Sequence, residues 1–154
     1  DLSVVDDGLN KIDHSFWHYQ HLIPELLVQR RYAITANVFT GCALMLNDAA
    51  KRVALPFNHF ATMHDACIGL RVIYSNGKIG IIHSPLVLYR QHGDNVCGAV
   101  LVRRGVCYYL RKLKDLVKIF KCYINYYRMS NVAFCGKVNF LEFMYWKILY
   151  LLKR

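Results

Sequence analysis

Apolar and polar positions run in blocks along the chain, and the spacing inside each block predicts a different element. Residues 1–19 are mixed and polar, with an Asp6-Asp7-Gly8 turn signal. Residues 22–31 predict a short helix, with Pro24 tolerated in the first turn because the missing N–H has no helical partner there. Residues 36–46 (ANVFTGCALML) predict a buried strand or strand pair, with Gly41 permitting close backbone approach. Asn47 or Asp48 is placed to cap a short helix through Val53, which Leu55-Pro56-Phe57 breaks. Over 64–75, apolar positions 68, 70, 72 and 73 predict a helix ended by Asn76-Gly77. Residues 78–90 (KIGIIHSPLVLYR) predict one or two strands, with Pro85 at an edge, a bulge or a break. Gly93 and Gly98 bracket a loop. From 106 to 127, apolar residues at 106, 109, 110, 113, 116, 117, 120, 123, 124 and 127 have helical spacing. Lys and Arg at 104, 111, 114, 118 and 121 gather on another face. The last segment, 137–154, is apolar and aromatic through Phe140, Phe143, Tyr145, Trp146 and Tyr150, with Lys147, Lys153 and Arg154.

Charge divides this pattern in two. Residues 1–98 carry equal numbers of acidic and basic side chains and all seven histidines. Residues 99–154 set twelve basic residues against Asp115 and Glu142, and so hold the whole net charge of +10. The expected organisation is a neutral chemical region, 1–98, followed by a basic, aromatic, amphipathic helical tail, 99–154. With 55% apolar and 19% charged residues, an intrinsically disordered chain is excluded. The length suits one domain with a real core.

Six cysteines, at 42, 67, 97, 107, 122 and 135, include no CxxC pair for zinc or redox chemistry. Their apolar surroundings predict reduced thiols packed as small hydrophobes, and hence a reducing compartment. No leader pattern is present, and no uncharged apolar run reaches the roughly 18–20 residues of a membrane span. The best candidate, 138–152, is interrupted by Glu142 and Lys147.

Three polar segments stand beside tight turns: Asn37-Val38-Phe39-Thr40-Gly41-Cys42, Met63-His64-Asp65, and Tyr89-Arg90-Gln91-His92-Gly93-Asp94-Asn95. On spacing alone Asp65 also stands where a helix N-cap belongs. By themselves His92 reads as a histidine packed at a strand end, Arg90 as a structural ion pair, and Asn37 and Thr40 as polar residues satisfying a buried strand.

In this order, and with Leu55-Pro56, Gly77-Lys78-Ile79 and Pro85-Leu86-Val87-Leu88-Tyr89-Arg90-Gln91-His92-Gly93 between and after them, the segments resemble the C-terminal half of bacterial family 2 glycosyltransferases, the rhamnosyltransferase-like members in particular. The opening DLSVVDDG and Ser15-Phe16-Trp17 resemble that family's middle region, so the likeness covers about residues 1–100. It implies an α/β architecture: the C-terminal portion of a GT-A fold, followed here by amphipathic helices. It implies an enzyme moving a sugar from a nucleotide-diphosphate donor to an acceptor hydroxyl, a glycan or a lipid-linked sugar, in surface polysaccharide or O-antigen synthesis. Asp65 would be the general base of an inverting displacement. Asn37, Thr40, Gly41, His64, Arg90 and Gln91 would contact substrate. His92 would help hold a divalent metal, Mn or Mg, on the donor's phosphates.

Two departures bear on that expectation. Ala66 and Cys67 stand where the family carries aromatic residues after His-Asp, and Asp94 replaces an asparagine. The family's N-terminal half, with its nucleotide surface and Asp-x-Asp metal motif, has no counterpart here, so most metal ligands would lie elsewhere. The expectation is therefore a fragment, inactive alone. For the tail, three partners are conceivable: nucleic acid, an anionic membrane, or its own domain. No nucleic-acid module is recognisable. Basic and interfacial aromatic residues favour an anionic membrane, with the protein cytoplasmic and peripheral on the inner face. The alternative to an enzyme is a non-catalytic module binding a membrane or a partner.

Overall fold

A computed structural model describes residues 1–57, 61, 63–91 and 116–154. The chain is mixed helix and sheet. Strands β1 (Leu2–Val5), β2 (Lys11–Asp13) and β3 (Val87–Arg90) form one sheet of order β2-β1-β3. The polar turn at 6–10 folds β2 back antiparallel onto β1. Asp6 closes it, accepting the Asn10 N–H at 2.8 Å and the Asn10 amide at 3.1 Å. On the other side β1 runs parallel to β3, with Leu2 opposite Val87 and Val5 opposite Arg90. All four residues of β1 are buried.

Among the described residues, seven α-helices follow these strands or separate them. They are α1 (Phe16–Tyr19), α2 (Pro24–Leu27), α3 (Arg30–Ala33), α4 (Asp48–Ala54), α5 (His64–Tyr74), α6 (Leu116–Ala133) and α7 (Phe140–Lys153). Ser15, Asn47 and Asn139 cap α1, α4 and α7 with side-chain oxygens, as their short polar side chains favour. The end of α5 follows its sequence signal closely. Asn76 takes φ 57°, and the N–H groups of Asn76 and Gly77 return to Ile73 and Val72, a double closure of the last turn.

The pattern misread three segments. Residues 36–46 are not strand. Asn37 folds its side chain onto Phe39, accepting its N–H at 2.9 Å and donating to its carbonyl at 3.0 Å. A side chain thereby satisfies backbone groups that a strand would pair in a ladder. A single 3-10 turn, Gly41–Ala43, follows. Residues 78–86 carry no strand, and β3 begins only after Pro85. The helix expected over 22–31 is two, because Gln29 is extended (ψ 135°) between α2 and α3.

Helix α5 is the centre of the fold. Ala66, Cys67, Ile68, Gly69, Leu70, Val72 and Ile73 are all buried. A helix apolar on nearly every side must be covered on every side. Helix α6 covers one face with Met129, Ala133 and Phe134, and Val138 and Phe143 complete the cluster. Ala66 and Cys67 are both buried, Ala66 within that cluster. A second cluster gathers Leu27, Tyr32, Val38 and Tyr150, with Phe39 and Trp146 packed against both. The tail helices thus share their core with residues of the first hundred. Among the described cysteines only Cys67 is buried; Cys42, Cys122 and Cys135 are exposed free thiols rather than packed ones. Cys97 and Cys107 lie outside the described residues.

One cation is inside this core. Lys147 is buried, donates to the Thr35 carbonyl at 2.9 Å and lies 4.6 Å from the centre of the Tyr123 ring. Burial, with the like charge of Arg154, pulls its ammonium down to about 8. Between about pH 8 and pH 10 the unfolded chain then binds more protons than the folded one, so stability rises with pH in that window. The unfolding free energy is expected to rise by roughly 2 kcal/mol from pH 7.5 to pH 10. Urea titrations of wild type and Lys147→Met at both pH values check this: the rise should vanish in the variant, and parallel behaviour of the two would count against it.

Candidate active site

Asp65 is the second residue of α5, and the N-cap position belongs to Met63, which offers no side-chain bond. The cap assignment for Asp65 is therefore corrected. Its carboxylate sits in the first turn, where the helix dipole favours negative charge. Oδ1 accepts the Ala66 N–H at 2.7 Å and the Asn37 amide at 3.3 Å. Oδ2 accepts the Gly41 N–H at 3.2 Å. The loop 37–41 and the start of α5, far apart in sequence, are joined through this one side chain.

Glycine at 41 lets His64 lie close against the loop. A Cβ there would stand 2.6 Å from His64 Nε2, so the imidazole lies directly across the Gly41 backbone. Glycine at 69 serves the same loop from below, because a Cβ there would fall 2.0 Å from the Phe39 ring. Phe39 is thereby seated on α5, and the loop that carries Asn37 and Gly41 is held against Asp65. Tyr126 of α6 is the neighbour that sequence reading missed. Its hydroxyl donates to the Ala33 carbonyl at 3.1 Å. Burial and the negative charge of Asp65 hold the phenol far above its ordinary value, so it stays a neutral donor. The helical spacing read over 106–127 did not single out Tyr126.

Thr40 precedes the 3-10 turn and lines a cleft of about 500 Å³ with Trp17, Val38, Ile68 and Ile82. The cleft is mainly apolar and does not include Asp65, and it adjoins the carboxylate through the 37–41 loop and through Ile68 and Gly69 of α5. Arg90 and Gln91 are positioned by the sheet: Arg90 ends β3 opposite Val5, and the Gln91 N–H donates to the Val5 carbonyl at 2.8 Å. His92 lies outside the described residues, as do the loop at 93–98 and the tail up to residue 115.

Asn37, Gly41, His64 and Asp65 are therefore brought together, Thr40 lies at their edge, and Arg90 and Gln91 belong to the strand end. The Asp65 oxygens face N–H donors of Asn37, Gly41 and Ala66, which tie the 37–41 loop to the start of α5. Among the described residues, one group of three His, Cys, Asp or Glu side chains is close enough to share an ion: Asp13, His14 and His18. No protein-family model, curated protein or solved structure matches the chain.

Proposed function

We propose that the chain is the acceptor-side part of a family 2 glycosyltransferase of GT-A fold, with Asp65 as general base. The convergence of Asn37, Gly41 and His64 on Asp65 carries this reading, because those are the motif residues the resemblance singles out. A carboxylate oxygen offers two lone-pair directions. Oδ1 uses both, on Asn37 and Ala66, while Oδ2 uses one on Gly41. The second direction of Oδ2 is assigned to the acceptor hydroxyl. As that oxygen bonds the anomeric carbon, its proton passes to Asp65, and the bond to the donor phosphate breaks on the opposite face with inversion. The nucleotide diphosphate leaves with the electron pair, and Arg90 is proposed to offset its charge. The apolar cleft beside Thr40 suits the carrier of a lipid-linked acceptor. A divalent metal, Mn or Mg, belongs to the donor's phosphates with ligands outside the described residues, and no step here passes through it.

The donor site is assigned to polypeptide beyond these 154 residues. The isolated chain is accordingly expected to leave nucleotide sugars intact, and the chain extended by its upstream reading frame to transfer. Incubating both with a panel of uridine-, guanosine- and thymidine-diphosphate sugars and lipid-linked acceptors tests this. Donor hydrolysis by the isolated chain, lost in Asp65→Ala, would refute the division. An inert extended chain would refute the enzyme.

A second reading rests on a separate observation. Leu141, Tyr145, Ile148 and Leu152 repeat at helical spacing on α7 and are 81%, 58%, 53% and 78% exposed. The inner face of α7 is occupied by the core, so this apolar and aromatic stripe is what remains for a membrane; Lys147 is inside the core, Lys153 lies over the Tyr32 ring and Arg154 donates to the Gln20 carbonyl. No helix among the described residues is long and apolar enough to cross a bilayer. On this reading the protein is peripheral, on the cytoplasmic face, and nucleic acid is not a partner. Flotation with phosphatidylserine vesicles is expected to recover wild type, and Leu141→Glu with Ile148→Glu to lower recovery several-fold. Equal recovery would remove α7 as the contact.

A further inference from the structure

We infer that Asp13, His14 and His18 form a surface site for one first-row divalent cation of the zinc, cobalt or nickel kind. The site lies at the corner where β2 passes into α1 and is independent of the glycosyltransferase reading. His14 Nδ1 stands 3.3 Å from one Asp13 oxygen, and His18 Nδ1 stands 2.8 Å from the other. The two rings stack, with centroids 5.4 Å apart and planes at 30°. Each imidazole thus turns the same nitrogen toward one shared carboxylate.

Ser15 builds this arrangement from both sides. Its N–H donates to Asp13 Oδ1 at 3.0 Å, fixing the carboxylate. Its hydroxyl oxygen accepts the His18 N–H at 3.0 Å, fixing the first turn that carries the second ring. Asp13 is only 14% exposed, whereas His14 and His18 are 74% and 68% exposed. One ligand is therefore anchored and two are free to adjust.

The donor set selects the metal. Two imidazoles and one carboxylate suit zinc and its neighbours, while magnesium and calcium want oxygen alone. Tetrahedral zinc holds nitrogen and oxygen at about 2.0–2.2 Å, so adjacent ligand atoms lie about 3.3 Å apart. The three ligand atoms here already lie within 4.8 Å of one another. Rotation of two exposed rings closes the remaining distance without moving backbone. A water completes the fourth position, since three protein ligands are in reach.

Exposed Cys42, Cys122 and Cys135 compete for such ions, so the full chain is first alkylated with iodoacetamide. Titration calorimetry with zinc chloride is then expected to give one site per chain. His14→Ala and His18→Ala should each weaken it by roughly tenfold or more, while His83→Ala leaves it unchanged. Circular dichroism confirms that the variants fold, which exposure of both rings favours. In wild type, zinc should shift the ring-nitrogen resonances of His14 and His18 among the seven histidines. Absence of binding up to millimolar zinc, or wild-type affinity in either histidine variant, overturns the site and leaves His14 and His18 as plain partners of Asp13.

Discussion

Asp65→Asn is expected, on the proposed glycosyltransferase reading, to lower the rate of sugar transfer by about 10²–10⁴-fold, the range over which a positioned base acts. The substitution keeps size and shape and removes the proton acceptor. One amide oxygen can still accept from Asn37 and the Ala66 N–H, but the NH₂ turns toward the Gly41 N–H, donor against donor. Gly41 is exposed, so water can replace that contact and stability should change little. Single-turnover transfer separates the two roles open to this carboxylate. A base gives a rate loss at saturating acceptor with the melting temperature nearly unchanged. A clamp for the 37–41 loop gives the reverse, and transfer within threefold of wild type would leave Asp65 as a clamp only. Asn37→Ala adds a control. Asn37 acts through Asp65 and through the turn on Phe39, so its loss should raise the KM for acceptor more than it lowers kcat.

Phe143→Ala is expected to cost about 3–5 kcal/mol of unfolding free energy, the usual range for a fully buried phenylalanine. Phe143 is 0% exposed and stands in ring contact with Tyr127, at 5.5 Å between centroids, and with Phe140. The cluster it completes also holds Ala33, Ile34, Ala66 and Leu70 from the first part of the chain. Tyr145→Ala, two residues on but facing outward, should stay within about 0.5 kcal/mol. Urea unfolding of both variants reads the contrast. Similar small losses in both would mean that α7 lies apart from the domain. The same packing rules out deleting the tail as a membrane control, because the deletion would expose α5 and unfold what remains.

What the sequence revealed and what it withheld divide along local and distant causes. Helix α4 and the end of α5 were legible because Asn47, Asn76 and Gly77 act on backbone groups a few residues away. The segment 36–46 was misread because its apolar run resembles a strand, whereas Asn37 closes a turn and Phe39 is drawn into a notch left by Gly69. No window of sequence contains both. Strand β1 was missed because four residues among polar neighbours become a strand only by pairing with β3. At the site, Asn37, Gly41, His64 and Asp65 were legible together through the motif order. Tyr126 was not, since its relation to Asp65 exists only once α6 has packed on α5. The pair His14 and His18 was not read from the sequence, since its meaning depends on Asp13 being turned inward by the Ser15 N–H.

The parallel pairing of β1 with β3 has a consequence for synthesis on the ribosome. Leu2 must wait for Val87, 85 positions later, before its strand has a partner on that side. At about 5–20 residues per second the delay is several seconds. Throughout it, Leu2, Val4 and Val5, which end almost wholly buried, lack β3, and among the described strands have only the short β2 to pair with. The most deeply buried strand of this sheet thus precedes one of its two partners by most of a hundred residues, and a cell producing this chain must keep it from pairing elsewhere in the interval.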